Sequence, residues 1–392
     1  MTNYKKLQEN LCKLGMDKKC SGTFVKKLAT DEENSEIAWE KKLWAIKHGF
    51  FPGRIDLYGL NEENVSLFVP DFNYYMVHPL NHHFRIWVND KLTLKYILNN
   101  SEFSLVMPEY YLYVENDGSY TYLMDCPNDI EKNSEFLWNL LCKKKVLAIK
   151  PNSGTSGGVG FIKLEFKDGN IFENNNVISK ERFVEIQSMM RNYIVTEYVH
   201  QHRSLAEIWP DSECTLRIIM CKGAKKMPGG EDDWFCSVSY ARFGTKASGG
   251  ASNLSSGGVG VGFNYETGLL DDYSIRFKEF CLKDESEWKS DKHPDTEIKW
   301  RKRQLPNWNF VKDTVQKICK YISSLSYLGF DVIITESGMK ICEINTHPAL
   351  DYAQIMCGPA LQKNNVKAYF RTKGMFSFNG EDFLKAYLDA QI

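Results

Sequence analysis

The sequence predicts an α+β protein of two or three lobes, and three observations carry that prediction. At 392 residues the chain exceeds what one compact core of ordinary size accommodates. Two strand–loop–strand stretches, 146–166 and 330–345, stand apart from a helical periodicity at 311–325. Hydrophobic residues make up 43% and aromatic residues 13%, enough for a packed interior and well above a disordered composition.

The elements follow in order. Residues 1–89 read as an N-terminal region, helical at its start and then mixed. Leu7, Leu11 and Leu14 recur at helical spacing, as do Trp39, Leu43 and Ile46. Residues 61–88 are irregular and aromatic. Asn89-Asp90 offers an N-cap to a helix from Lys91 to Leu98. Tyr110–Val114 and Tyr120–Leu123 read as strands joined by the turn Asn116-Asp117-Gly118. Residues 90–202 would form a first lobe, whose 146–200 stretch reads as strand, Gly-rich loop, strand, turn at Asp168-Gly169, helix, strand.

Residues 203–392 would form the C-terminal lobe, with strands at 214–275. The stretch 278–303, dense in mixed charge and holding Trp288 and Trp300, reads as a surface insertion, with a partner site as the alternative. Val311, Val315, Ile318, Ile322 and Leu325, spaced by 4, 3, 4 and 3, mark an amphipathic helix. A hairpin follows at 330–345, and no internal repeat is present.

A formal net charge of −1 argues against a general polyanion binder, so no nucleic-acid partner is expected. The eleven cysteines are scattered from Cys12 to Cys357 without a CxxC pair. With a polar start from Met1 to Gln8, they read as reduced thiols of a cytoplasmic protein. No apolar run approaches the roughly 18 residues of a spanning helix, so no integral membrane segment is expected.

Two stretches carry chemistry. Val146-Leu147-Ala148-Ile149-Lys150 is a buried-strand pattern ending on a lysine. It runs into Pro151-Asn152-Ser153-Gly154-Thr155-Ser156-Gly157-Gly158-Val159-Gly160, and strand-like residues resume at Phe161. Glycines let a backbone approach a ligand and turn N–H groups toward it, hydroxyls add donors, and the lysine supplies a point charge for phosphate. Taken alone the loop also reads as a flexible hairpin connection. It is neither a Walker loop nor a dinucleotide fingerprint, because it joins two strands and no Gly-Lys-Ser/Thr opens a helix.

In the second stretch, Glu343 and Asn345 are two apart on the return strand and share a face. A three-residue turn, Glu336-Ser337-Gly338, would set Asp331 across from Glu343. Two like charges placed together call for a cation, and oxygen donors of this kind suit magnesium. The plain alternative is a solvent-facing polar edge, which fits poorly with Val332, Ile334, Ile341 and Ile344 as neighbours.

Other candidates are weaker. His78 and His82 have helical metal-ligand spacing, with His83 alongside, but Pro79 breaks the helix. His200 and His202 read as surface-loop residues or nucleotide-edge contacts. Arg242 reads equally as a carboxylate-binding residue or half of a structural ion pair. No Gly-x-Ser-x-Gly elbow and no Cys–His nucleophile arrangement stands out.

In their order, four blocks resemble the ATP-grasp superfamily from Asp90 to Ala360. They are Asp90-Lys91, Ile149-Lys150 with its loop, Ile194-Val195-Thr196-Glu197-Tyr198-Val199, and Asp331 with Glu343-Ile344-Asn345-Thr346-His347-Pro348. The loop Ala251-Ser252-Asn253-Leu254-Ser255-Ser256-Gly257-Gly258-Val259-Gly260 resembles the branch called sugar-transfer-associated ATP-grasp. The resemblance implies an ATP-grasp fold, two α+β lobes clasping ATP. Lys91 and Lys150 would contact its phosphates, under a lid holding Ser153, Thr155, Ser156, Gly157 and Gly158. Glu197, Tyr198 and Val199 would meet adenine, and Glu207 ribose. Arg217, with Lys150, would act at the transferred phosphoryl group. Asp331, Glu343 and Asn345 would hold magnesium, as two ions. Arg242, Asn253, Ser255, Ser256 and Gly257 would meet substrate.

The implied reaction is carboxylate–amine ligation of small molecules through an acyl phosphate, with release of ADP and phosphate. The branch points to a sugar acid or amino sugar of cell-surface polysaccharide assembly. Phosphotransfer without ligation is the alternative enzyme, and a nucleotide-sensing scaffold the alternative from another class. The resemblance leaves a homodimer open.

Overall fold

Among the described residues, two antiparallel sheets of seven strands organise the fold. The first holds β1 (Tyr110–Val114), β2 (Tyr120–Tyr122), β3 (Val146–Pro151), β4 (Ile162–Lys167), β5 (Asn170–Glu173), β6 (Asn176–Ile178) and β7 (Tyr193–Glu197), in the order β2-β1-β7-β3-β4-β5-β6. The second holds β8 (Thr215–Lys222), β9 (Trp234–Phe243), β10 (Val259–Phe263), β11 (Leu270–Arg276), β12 (Lys289–Ser290), β13 (Tyr327–Thr335) and β14 (Gly338–Asn345), in the order β12-β11-β10-β9-β8-β13-β14. The computed structural model describes residues 2–34, 36–100, 102–154, 159–223, 233–249, 251–276 and 288–391.

Strand alternation sends the central strands of the second sheet into two cores. Leu216, Ile218, Met220, Leu328, Phe330 and Val332 pack under the helix Trp308–Tyr321, which presents Val311, Val315 and Ile318. Ile219, Cys221 and Tyr327 point the other way, into a core shared with both ends of the chain. There Leu7 and Leu11 of the first helix meet Phe24, Phe370, Phe383 and Tyr387, and Phe24 and Phe383 lie 5.2 Å apart at an edge-on angle. Asn3 N donates to Ala390 O at 2.8 Å, so the first and last residues described lie side by side. Leu14 lies past the helix end at Lys13 and is exposed.

This meeting of the termini has a polar clasp. Glu32 accepts from Lys42 Nζ at 2.6 Å, from the Tyr387 hydroxyl at 2.6 Å and from the Tyr4 hydroxyl. Burial works against its ionisation, but the three donors outweigh burial and hold the carboxyl below its ordinary 4.5. A depressed pKa stabilises the fold above the ordinary value, and that stabilisation is lost as pH falls through the folded one. Glu32→Gln is therefore expected to cost about 1–3 kcal/mol at neutral pH. The difference from wild type in urea midpoints is expected to narrow below pH 4.5. A difference that does not change with pH would contradict the clasp.

Most described residues of the stretch 278–303, expected as a surface insertion, are exposed or half-buried, but two of its side chains are fully buried. Its residues 278–287 lie outside the described residues. In the rest, Trp300 is fully buried beside Phe243, at 5.2 Å between centroids. His293, also fully buried, stacks on Trp209 and shares a 2.8 Å hydrogen bond with Gly244 O. Charge density hid a segment whose aromatic side chains anchor it to the sheet. No described helix is long and apolar enough to cross a membrane.

Candidate active site

A cleft with about 410 Å³ of space is walled by residues of both sheets. Alternation in β3 places Leu147 and Ile149 in the first sheet's core, while Ala148 and Lys150 line the cleft. Glu197, at the end of the adjacent β7, lines it with Tyr198 and Val199. Its carboxylate accepts from Glu109 N at 3.0 Å and sits 3.4 Å from Lys340 Nζ. The Lys150 side chain makes no hydrogen bond or ion pair with another described residue, although its backbone pairs with β7 at Ile194. Burial, with help from nearby Lys91, pushes its pKa below the ordinary lysine value against the pull of Cys342 and Glu343. A half-buried lysine whose side chain pairs with no described residue is a place for an anion.

The carboxylate hairpin reaches its geometry by an unexpected route. The turn has two residues, Glu336-Ser337, with Thr335 paired to Gly338. Gly338 has φ +144°, where glycine is favoured, and a side chain there would meet the Phe310 ring. A two-residue turn alone would set Cys342 across from Asp331. Instead the register shifts between Asp331 and Val332, so Asp331 faces Glu343 and Gly329 faces Asn345. The expected pairing is present, made by a bulge rather than by a three-residue turn. The bulged residue, Cys342, lines the cleft, and burial pushes its thiol up to about 11 against the pull of Lys150.

The two opposed carboxylates have different surroundings. Asp331 is 4% exposed. It accepts from Arg217 Nε at 2.5 Å and Arg217 Nη2 at 3.0 Å, and Arg242 Nη2 lies 3.1 Å away. Burial opposes its ionisation, but Arg217 and Arg242 outweigh burial and hold its pKa at about 2. Glu343 is more open: Lys91 Nζ lies 3.6 Å from it, and Asn345 Nδ2 donates to it at 3.0 Å.

Several expected residues stand elsewhere. Arg217 is buried against Asp331 and does not line the cleft; the arginine that does is Arg242, whose buried Nε has no partner among the described residues. Glu207 is exposed at the end of a short helix, Arg203–Ala206. Glu213 lines the cleft instead, accepting from Gln201 N at 2.6 Å and raising the pKa of His200. Ser153 sits half-buried at the loop's root and Ser255 is exposed, neither lining the cleft. Asn253 and Ser256 line it, while Gly257 turns the chain at φ +99° and its carbonyl accepts from Thr245. Thr155, Ser156, Gly157 and Gly158 lie outside the described residues.

The histidines do not converge. His78 is buried and stacked on His347 at 3.6 Å, whereas His82 and His83 are exposed. Among the described residues no group of three His, Cys, Asp or Glu side chains is arranged to hold a metal.

Some lining residues had only a faint signal. Thr215 shares a face of β8 with Arg217 by spacing, and bonds Ser252 at 3.0 Å. Phe161 closes the Gly-rich loop and is 40% exposed in the cleft wall. Cys342 and Glu213 had none, since a bulge and a loop approach are not periodic features.

Residues 73–368, more than half of the chain, match the model of the sugar-transfer associated ATP-grasp family, and the chain belongs to that family. Its paired sheets around one cleft are an α+β ATP-grasp fold. Among solved structures it is similar to an N5-carboxyaminoimidazole ribonucleotide synthetase in its ADP complex, at 12% identity and a TM-score of 0.39, over 72% of this chain and 52% of that one. It is also similar to the D-alanine–D-alanine ligase from Bacillus anthracis, at 14% identity and a TM-score of 0.37, over 75% of this chain and 70% of that one. A third is D-alanyl-alanine synthetase A from Vibrio cholerae O1 biovar eltor, at 11% identity and a TM-score of 0.38, over 80% of this chain and 67% of that one. The chain spans about half the length of the first of these. No curated protein matches it.

Proposed function

We propose that the chain is an ATP-dependent carboxylate–amine ligase acting on small molecules, with a sugar acid or amino sugar of cell-surface polysaccharide assembly as substrate. One observation carries the reading: a single cleft gathers Lys91, Lys150 with a side chain that pairs with no described residue, the opposed carboxylates Asp331 and Glu343, and Arg242 with its unpartnered buried Nε. Cations for a phosphate chain, acids for a metal and an arginine for a carboxylate stand within reach of one another.

Lys91 and Lys150 hold the phosphates, and the loop 152–160 closes over them. Glu197, Tyr198 and Val199 receive adenine. The family's roles for Ser153, Glu207 and Ser255 draw no support from their positions outside the cleft wall. Arg217 acts through Asp331, which it holds ionised and in place. Arg242 binds the substrate carboxylate beside Asn253 and Ser256. The lobes divide at about residue 202, as the distribution of strands between the two sheets suggests, with 1–89 packed against the second.

The donor chemistry fits magnesium. Asp331 and Glu343 offer oxygen donors on facing strand positions and Asn345 offers one two residues beyond Glu343; Glu343 is the more accessible carboxylate and Asp331 keeps lone pairs beyond those its arginines use. When bound with ATP, such ions supply positive charge to the phosphate oxygens. The chain's own cations do related work: Lys150 and Arg242 stabilise negative charge where a carboxylate meets the γ-phosphate, in a site that burial keeps low in dielectric. The acyl phosphate so formed is attacked by an amine, giving an amide and phosphate. Lid closure excludes water from the acyl phosphate. The test is a screen of amino acids against sugar acids for ADP release. Release of AMP would overturn the mechanism, and a phosphorylated product without amide would make the chain a phosphotransferase.

A further inference from the structure

Two phosphate-holding lysines on different elements are useful only if their separation is fixed. Lys150 lies at the end of β3, and Lys91 opens the helix Lys91–Leu98. One residue between them makes four hydrogen bonds. Asn152, 5% exposed, donates through Nδ2 to Asp90 Oδ2 at 2.6 Å and accepts through Oδ1 from Leu92 N at 2.9 Å. Its carbonyl accepts from Lys91 N at 3.2 Å, and its own N donates to Asn192 O at 2.9 Å. Asp90 is in turn the helix N-cap, accepting from Thr93 N at 2.8 Å. The same short segment reaches the second sheet. Asn89 Oδ1 accepts from Thr346 N and Oγ1 at 3.2 and 3.1 Å, and Lys91 reaches Glu343.

The partners dictate the side chain. Asp90 can only accept and Leu92 N can only donate, so position 152 needs a donor and an acceptor on one short planar group. An aspartate has the shape but sets one carboxylate against another. We infer that Asn152 is a positioning residue that fixes Lys91 relative to Lys150, and so sets the spacing at which the cleft grips a nucleotide's phosphates. This rests on the nucleotide reading above but concerns neither a contact with the ligand nor the metal.

The partner logic also supplies its own rescue. In Asn152→Asp the carboxylates repel and the bond to Asp90 is lost. With Asp90→Asn added, the polarity is reversed and each bond can re-form. The new amide at position 90 donates to the new carboxylate at position 152 and still caps Thr93 N, while Leu92 N still meets an acceptor.

The test measures Kd for a non-hydrolysable ATP analogue by calorimetry, with thermal midpoints recorded without ligand. N152D is expected to weaken binding by about tenfold or more. The N152D/D90N pair is expected to recover most of the wild-type affinity. Should N152D alone fail to fold, the reversed pair decides: wild-type affinity supports the clamp, and a folded pair that stays weak overturns it. A folded N152D that binds as wild type does overturns the clamp alone. A wild-type chain that binds no analogue overturns the nucleotide reading, and the clamp with it.

Discussion

Asp331→Asn is expected to cost the folded state about 3–5 kcal/mol, because it strands two buried guanidinium groups. Arg217 and Arg242 are 9% and 8% exposed, and Asp331 is the carboxylate both of them meet. The amide keeps the shape but cannot carry the charge. Removing one partner of a buried ion pair is costly even where the intact pair adds little, since the remaining charge keeps its desolvation penalty. Urea unfolding without nucleotide reads the effect. A loss below about 1 kcal/mol, the range of exposed pairs, would mean that water already reaches the arginines.

Directly opposite, Glu343→Gln is expected to do the reverse. Its side chain is 34% exposed, and its ion pair with Lys91 is long at 3.6 Å, so stability should change little. Activity should fall steeply: ADP release is expected to drop by about a hundredfold or more, with a higher magnesium requirement, because charge stabilisation of this kind is worth several kcal/mol. Unchanged turnover would remove Glu343 from the metal site. The two substitutions together separate jobs that strand register alone makes look equivalent. Both carboxylates line the cleft, but Asp331 is buried against two arginines and Glu343 is the more open.

Much of this was legible in the sequence, and the reasons differ by element. The strand into Lys150 was readable because an apolar run ending on a lysine leaves few other structures. The hairpin was readable in its outcome: two-residue alternation put Glu343 and Asn345 on one face whatever the turn. The bulge at Cys342 was not, since no local pattern marks where one strand takes an extra residue. Arg217 was visible as a charge inside an apolar strand, but its direction depends on Asp331, over a hundred positions away. Trp300 lay in a run whose charge masked its burial. The joining of the termini was invisible for the same reason of distance: Leu7 and Phe383 each have ordinary helical periodicity, and nothing local says they meet.

The proposed activity is activation of a carboxylate with ATP in this cleft. The most direct measurement is ADP release in hydroxylamine, with candidate amino acids and sugar acids supplied one at a time. Hydroxamate is expected to form in step with ADP for at least one acid, and to be lost in Glu343→Gln. ADP released with a phosphorylated product and no hydroxamate, or AMP in place of ADP, would contradict it.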